Sequence, residues 1–116
     1  TALADRGVPR IYFALNSAHL LGEIRSCGAD VVGIDWRTPL TVAAEQLGPG
    51  YALQGNLDPC VLLGPAAEIE RRATQVLAEG AAAPGHIFNL GHGIVPNVPV
   101  EHARHLVETV QGSRID

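Results

Sequence analysis

One ionisable side chain stands in a position built for access. His92 lies between Gly91 and Gly93, directly after the mostly apolar run His86-Ile87-Phe88-Asn89-Leu90. An imidazole exchanges protons near neutrality, so it can hydrogen-bond an anionic ligand or relay a proton. Flanking glycines permit positive φ and let another molecule approach the backbone closely. The plainer alternative is a loop histidine bonded to a backbone carbonyl. Two further polar runs follow apolar ones. Asp35-Trp36-Arg37 comes after Val31-Val32-Gly33-Ile34, and Gln54-Gly55-Asn56-Leu57-Asp58-Pro59 after Tyr51-Ala52-Leu53. Asp35 could act as a general base, or it could be a buried carboxylate bonded to backbone or to Arg37. Gly91-His92-Gly93 could also cradle a phosphate. However, the chain contains no lysine, and no second glycine-rich loop lies nearby.

The elements that must position these residues repeat. Ile11–Leu15 reads as a buried strand, followed by the loop residues Asn16 and Ser17. Leu20, Leu21, Ile24 and Cys27 then recur at helical spacing. Val31–Ile34 is a second strand, and Thr38-Pro39 reads as a cap and first helical residue before Leu40, Ala43, Ala44 and Leu47. Tyr51–Leu53 starts a third strand. Gly64-Pro65 opens the longest helix, with Ile69, Ala73, Val76 and Leu77 on one face and Gly80 at its end. Ile87–Leu90 is the fourth strand. A last helix carries Ala103, Leu106, Val107 and Val110 between Pro99 and Gly112.

This is an α/β chain of four consecutive βα units. The strands are apolar on both faces, which predicts cover on both sides or a place inside a barrel. Right-handed crossovers put every loop after a strand at one end of the sheet, so Asn16, Asp35, Trp36, Gln54, Asn56 and His92 are expected to converge there. Four units fit a small doubly wound sheet or half of a (β/α)8 barrel of about 250 residues. The opening, Thr1 to Gly7, reads like a helix end closed by glycine. It favours the half-barrel, with residues 1–116 as a single incomplete domain.

Composition narrows the function. Of 116 residues, 47% are apolar and 17% charged, which excludes disorder. The net charge of −4 argues against nucleic acid as a partner. No apolar run is long enough to cross a membrane, and no signal peptide opens the chain, so the expected location is cytoplasmic. Cys27 and Cys60 lack metal-ligand spacing and read as two buried thiols. His19, His102 and His105, with Glu68, Glu70, Arg71 and Arg72, read as solvated helix residues. His86 reads as structural.

Three runs together resemble a known family. Val32-Gly33-Ile34-Asp35-Trp36-Arg37, Gln54 to Pro59 and Phe88 to Ile94 are similar, in order and approximate spacing, to the closing motifs of uroporphyrinogen decarboxylase. The resemblance covers essentially the whole chain and corresponds to roughly the last third of that enzyme, the C-terminal half of a TIM barrel. It implies a role in heme (porphyrin) biosynthesis: decarboxylation of the four acetate side chains of uroporphyrinogen III to give coproporphyrinogen III. It implies no metal and no organic cofactor, a porphyrinogen substrate, and a homodimer at full length. A protonated pyrrole ring of the substrate serves as the electron sink. The family's Gly-His-Gly histidine falls on His92, which the resemblance makes substrate-binding. The family's other catalytic residues lie upstream of this chain, so no catalytic residue is assigned, and the fragment alone is expected to be inactive. Asp35, Trp36, Gln54, Asn56 and Asp58 match motifs and are expected to shape loop ends.

The sequence departs from its relatives at Leu15-Asn16-Ser17, Asn97 and Val98, the last two weakening a helix cap. Two other readings stay open. One is the related zinc-dependent methyltransferase barrel that acts on corrinoid-bound methyl groups and thiols. It would need converging cysteines that Asn16-Ser17-Ala18 and Gly91-His92-Gly93 do not supply. The other is a non-catalytic α/β domain that binds an anion or a protein.

Overall fold

The computed structural model describes residues 7–13, 21–24 and 28–113. Asn16, Ser17, His19, Leu20 and Cys27 lie outside them. Four short strands form one parallel sheet in the order β1-β2-β3-β4: Ile11–Phe13, Val31–Gly33, Ala52–Gln54 and His86–Ile87. Helices follow them as α1 (Leu21–Ile24), α2 (Leu40–Leu47), α3 (Ala66–Gly80) and α4 (Val100–Gly112). Parallel neighbours in sequence order are what consecutive βα units produce.

Strand side chains alternate between faces. Val32 and Leu53, adjacent in register, are fully buried on the helix side. There they join one cluster with Leu40, Ala43, Leu57, Leu62, Ile69 and Ala73. α3 reaches this cluster because Ile69, Ala73, Val76 and Gly80 recur at helical spacing and are its buried residues. Burying a Leu or Ile side chain stabilises the fold by about 1.5–3 kcal/mol. Gly80 is required where it is, because a Cβ there would stand 2.1 Å from Nδ1 of the His86 ring. The opposite face carries Ile11, Phe13 and Ile87, which stay 51, 45 and 46% exposed. Of the two arrangements expected from the sequence, cover on both sides or a place inside a barrel, the described residues fit the second: helices cover one face, and the other lies open as the interior face of a half-barrel would.

Other expectations need correction. The fourth strand ends at Ile87, and only a single bridge, Leu57 to Leu90, continues its pairing. A 3₁₀-helix, Pro59–Leu63, intervenes before α3, started by Asp58 accepting from Cys60 N at 2.9 Å. Thr38 makes no cap: Pro39 stands at the N-cap of α2, without a side-chain cap bond. Cys60 is exposed rather than buried. Val107 is 51% exposed, while Leu106 is the buried residue of α4. His102 and His105 are not simply solvated. His102 Nδ1 lies 2.5 Å from the Leu62 carbonyl, tying α4 to the 3₁₀-helix. His105 Nε2 lies 3.0 Å from Glu70 Oε1, close enough for an ion pair when protonated but out of line for a hydrogen bond.

Candidate functional site

A cleft of about 420 Å³ opens at the carboxyl ends of the strands, lined by Phe13, Ile34, Gln54, Asn89, Leu90, His92 and Ile94 among others. His92 stands in its wall. Strand-like bonding carries the backbone to that point: Leu57 N donates to Asn89 O at 3.1 Å, and Gly91 N to Leu57 O at 2.8 Å. The His92 loop is thus hung on the loop after β3.

Behind it, the loop after β2 fixes both. Asn56 is 4% exposed, and its Nδ2 donates to the Asp35 carbonyl at 2.9 Å and to the Thr38 carbonyl. Gly91 lies flush against Trp36, where a Cβ would come within 2.4 Å of the Trp36 backbone nitrogen and Cβ. Gly55 has φ 137°, and a Cβ there would meet the Ile34 carbonyl at 2.8 Å. These two glycines exist for close approach of loop to loop. His86 Nε2 lies 2.6 Å from the Gly55 carbonyl, so the proton sits on that nitrogen, because a carbonyl can only accept. Its expected structural role is what the geometry gives.

Asp35 takes the plainer of its two readings. It is 2% exposed. Arg37 N donates to it at 2.9 Å, and Arg37 Nη1 lies 3.2 Å from both carboxylate oxygens. The guanidinium also lies over the Trp36 ring, 4.6 Å from its centre. A carboxylate held this way orders its loop rather than taking protons from a ligand. Trp36, Asn56 and Asp58 line a second, smaller cavity of about 120 Å³, not the His92 cleft. The expected convergence at one end of the sheet therefore splits. Gln54 and His92 share the cleft, while Asp35, Trp36 and Asn56 brace it from behind.

His92 has one nitrogen committed. Its Nδ1 lies 2.9 Å from the Gly93 carbonyl. That nitrogen must carry the proton, so the neutral ring presents Nε2 as an acceptor, and the imidazolium presents it as a donor. The bland reading, a ring bonded to backbone, is true of one nitrogen and leaves the other without a partner among the described residues. Sequence reasoning did not single out Phe13 or Ile94 as cleft residues. Phe13 lies over Gly33, with ring carbon Cδ2 2.9 Å from where a Cβ would be. A glycine opposite an aromatic residue in adjacent strands was the available signal.

Four parallel βα units in sequence order, with a polar rim at the carboxyl ends of their strands, have the architecture of half a (β/α)8 barrel. A methyltransferase from Methanosarcina mazei superposes with a TM-score of 0.77 at 21% identity, over 91% of this chain and 32% of that one. At that identity the likeness concerns the fold alone. The sequence is more specific. The profile of the uroporphyrinogen decarboxylase (URO-D) family matches residues 1–113, and the chain belongs to that family. Uroporphyrinogen decarboxylase of Salinispora tropica is 58% identical over 94 residues, 81% of this chain and 25% of that protein. The Streptomyces griseus enzyme is 52% identical over 106 residues, 91% of this chain and 29% of its own. The Chloroflexus aurantiacus enzyme is 52% identical over 109 residues, 94% and 31%. The chain thus spans about a quarter to a third of the length of these relatives.

Proposed function

We propose that residues 1–116 form an incomplete domain, the C-terminal half of a uroporphyrinogen decarboxylase barrel, and that they contribute His92 to the substrate cleft. The reaction is the family's cofactor-free decarboxylation of the four acetate side chains of uroporphyrinogen III to coproporphyrinogen III, in the cytoplasm. The full-length enzyme is a homodimer in this reading. The observation that carries it is His92 Nε2: the ring is anchored through Nδ1 at the rim of a mostly apolar cleft. A porphyrinogen offers carboxylates and pyrrole N–H groups to such a cleft. Nε2 accepts from an N–H when neutral and donates to a carboxylate when charged. It can also hand over a proton at the carbon that loses carbon dioxide.

The test is His92→Asn in the full-length enzyme that carries this segment, with turnover and thermal stability measured on one sample. Loss of one neutral hydrogen bond lowers kcat/KM by roughly tenfold per 1.4 kcal/mol. A loss of about a hundredfold or more assigns proton delivery to His92. Unchanged turnover, or a fall in melting temperature that accounts for all lost activity, overturns the assignment. The 116-residue chain alone is expected to produce no coproporphyrinogen, because members of a catalytic constellation fail together.

A further inference from the structure

We propose that Gln54 is a second ligand-binding residue of the His92 cleft, and that its carboxamide donates a hydrogen bond to a carboxylate of the bound tetrapyrrole. This rests on the reading of the cleft given above and deepens it.

The placement of Gln54 is anomalous. It ends β3 in register between Gly33 of β2 and Ile87 of β4. Alternation puts it on the open face of the sheet with Ile11, Phe13, Val31, Ala52 and Ile87, all of them apolar. Among the described strand residues of that face it is the one polar side chain. It is half-buried and lines the cleft together with His92. Its backbone is used, because the Gln54 carbonyl accepts from Ile34 N at 2.8 Å. Its side-chain amide has no hydrogen-bond partner among the described residues. A carboxamide has two donors and an acceptor, and in this half-exposed position they are open to water or to a ligand. Ligand sites are apolar walls with a few convergent polar groups, and this cleft fits that pattern.

The neighbours decide which ligand group Gln54 meets. Asn89 Oδ1 accepts from Leu90 N at 2.9 Å, which leaves its Nδ2 as a further neutral donor in the same cleft. Arg37 is turned to Asp35 and Trp36 instead, and no arginine lines the cleft among the described residues. Neutral amide donors with one titratable imidazole can satisfy a carboxylate without fixing a permanent ion pair. Gln54 makes the hydrogen bond at any pH near neutrality, whereas His92 donates only when protonated.

The experiment uses the full-length enzyme that carries this segment and uroporphyrin I, the oxidised octacarboxylate, with binding followed by porphyrin fluorescence. The side-chain amide of Gln54 is followed by NMR. The unmodified enzyme is expected to bind, with the Gln54 amide resonances shifting on titration. Gln54→Leu keeps the volume and suits the apolar face, and should weaken binding about fivefold. Gln54→Glu places a negative charge against a carboxylate and should weaken it more than about tenfold. Circular dichroism checks that each variant is folded, and Gln54→Asn replaces any that is not, with a loss close to that of Gln54→Leu expected. If His92→Asn weakens binding while the Gln54 variants and the Gln54 resonances do not change, the Gln54 proposal is overturned and the reading of the cleft stands. If only the Gln54 variants weaken binding, Gln54 is kept and the role of His92 falls. No binding of uroporphyrin I by the unmodified full-length enzyme overturns both.

Discussion

The two faces of the sheet are made from the same strands but carry different loads. On the helix side, Val32 and Leu53 are completely buried and share one cluster with residues from α1 to α4. On the other side, Ile11, Phe13 and Ile87 remain about half exposed, and the cleft opens there. The first face holds the chain together. The second is apolar without being covered, and its polar exceptions stand where a ligand could reach them. Apolar character in a strand thus shows that a face is suited to burial, not that the described chain buries it.

The largest effect should come from the covered face. Leu53→Ala removes a fully buried side chain and should cost about 2–5 kcal/mol in urea unfolding. Ile87→Ala, on the open face, should cost less than about 1 kcal/mol. Equal losses would show that the two faces are equally packed. Next comes the brace behind His92. Asn56→Ala strips the Asp35 and Thr38 carbonyls of their donor and should destabilise by about 1–3 kcal/mol. Gly91→Ala, with Trp36 in the way, should cost a similar amount and weaken porphyrin binding as well. A Gly91→Ala chain as stable as its parent would mean that the two loops can slide apart freely.

The open face should also govern association. The sheet leaves β1 and β4 unpaired at its edges among the described residues, and exposed edges beside apolar side chains attract further strands. Light scattering is expected to show self-association that grows with concentration, and Ile11→Lys with Ile87→Lys should reduce it. A concentration-independent monomer would favour a self-contained sheet over half of a barrel. The smallest effect concerns the solvated side of α3. The hydrogen bond from Arg71 holds the Glu68 carboxyl below its ordinary value of 4.5; desolvation opposes this, and the Arg71 and Arg72 charges add lesser contributions in the same direction as the hydrogen bond. A depressed carboxylate contributes stability above the unfolded value, and that contribution is lost as pH falls through the lower folded value. Glu68→Gln should therefore shift the melting temperature slightly at neutral pH and not at all in strong acid. High salt should erase the difference, as it does for exposed pairs.

Much of this was legible in the residues. Four apolar runs, each followed by a polar loop and a helical period, determined the order of βα units, and local periodicity suffices for that. The Gly-His-Gly run marked the loop worth watching, and the three motifs in register determined the family. What they could not decide was contact at a distance. Whether Asp35 faced a ligand or Arg37 depended on where the Arg37 fork lay. Whether Gln54 or Asn56 entered the cleft depended on the backbone turning at Gly55, which sends one side chain to the open face and the other behind it. His102 and His105 read as solvated because the pattern of α4 does not show what α3 and the 3₁₀-helix place against it. Strand 4 read too long because Phe88-Asn89-Leu90 has strand-like composition, yet its pairing partner there is the loop after β3, joined through the single bridge Leu57 to Leu90. Sequence by itself determined the elements, their order and the family, since each rests on neighbours along the chain. Only the tertiary structure decided which polar groups brace a loop and which face the cleft without a partner among the described residues, because hydrogen bonds are assigned by distance in space.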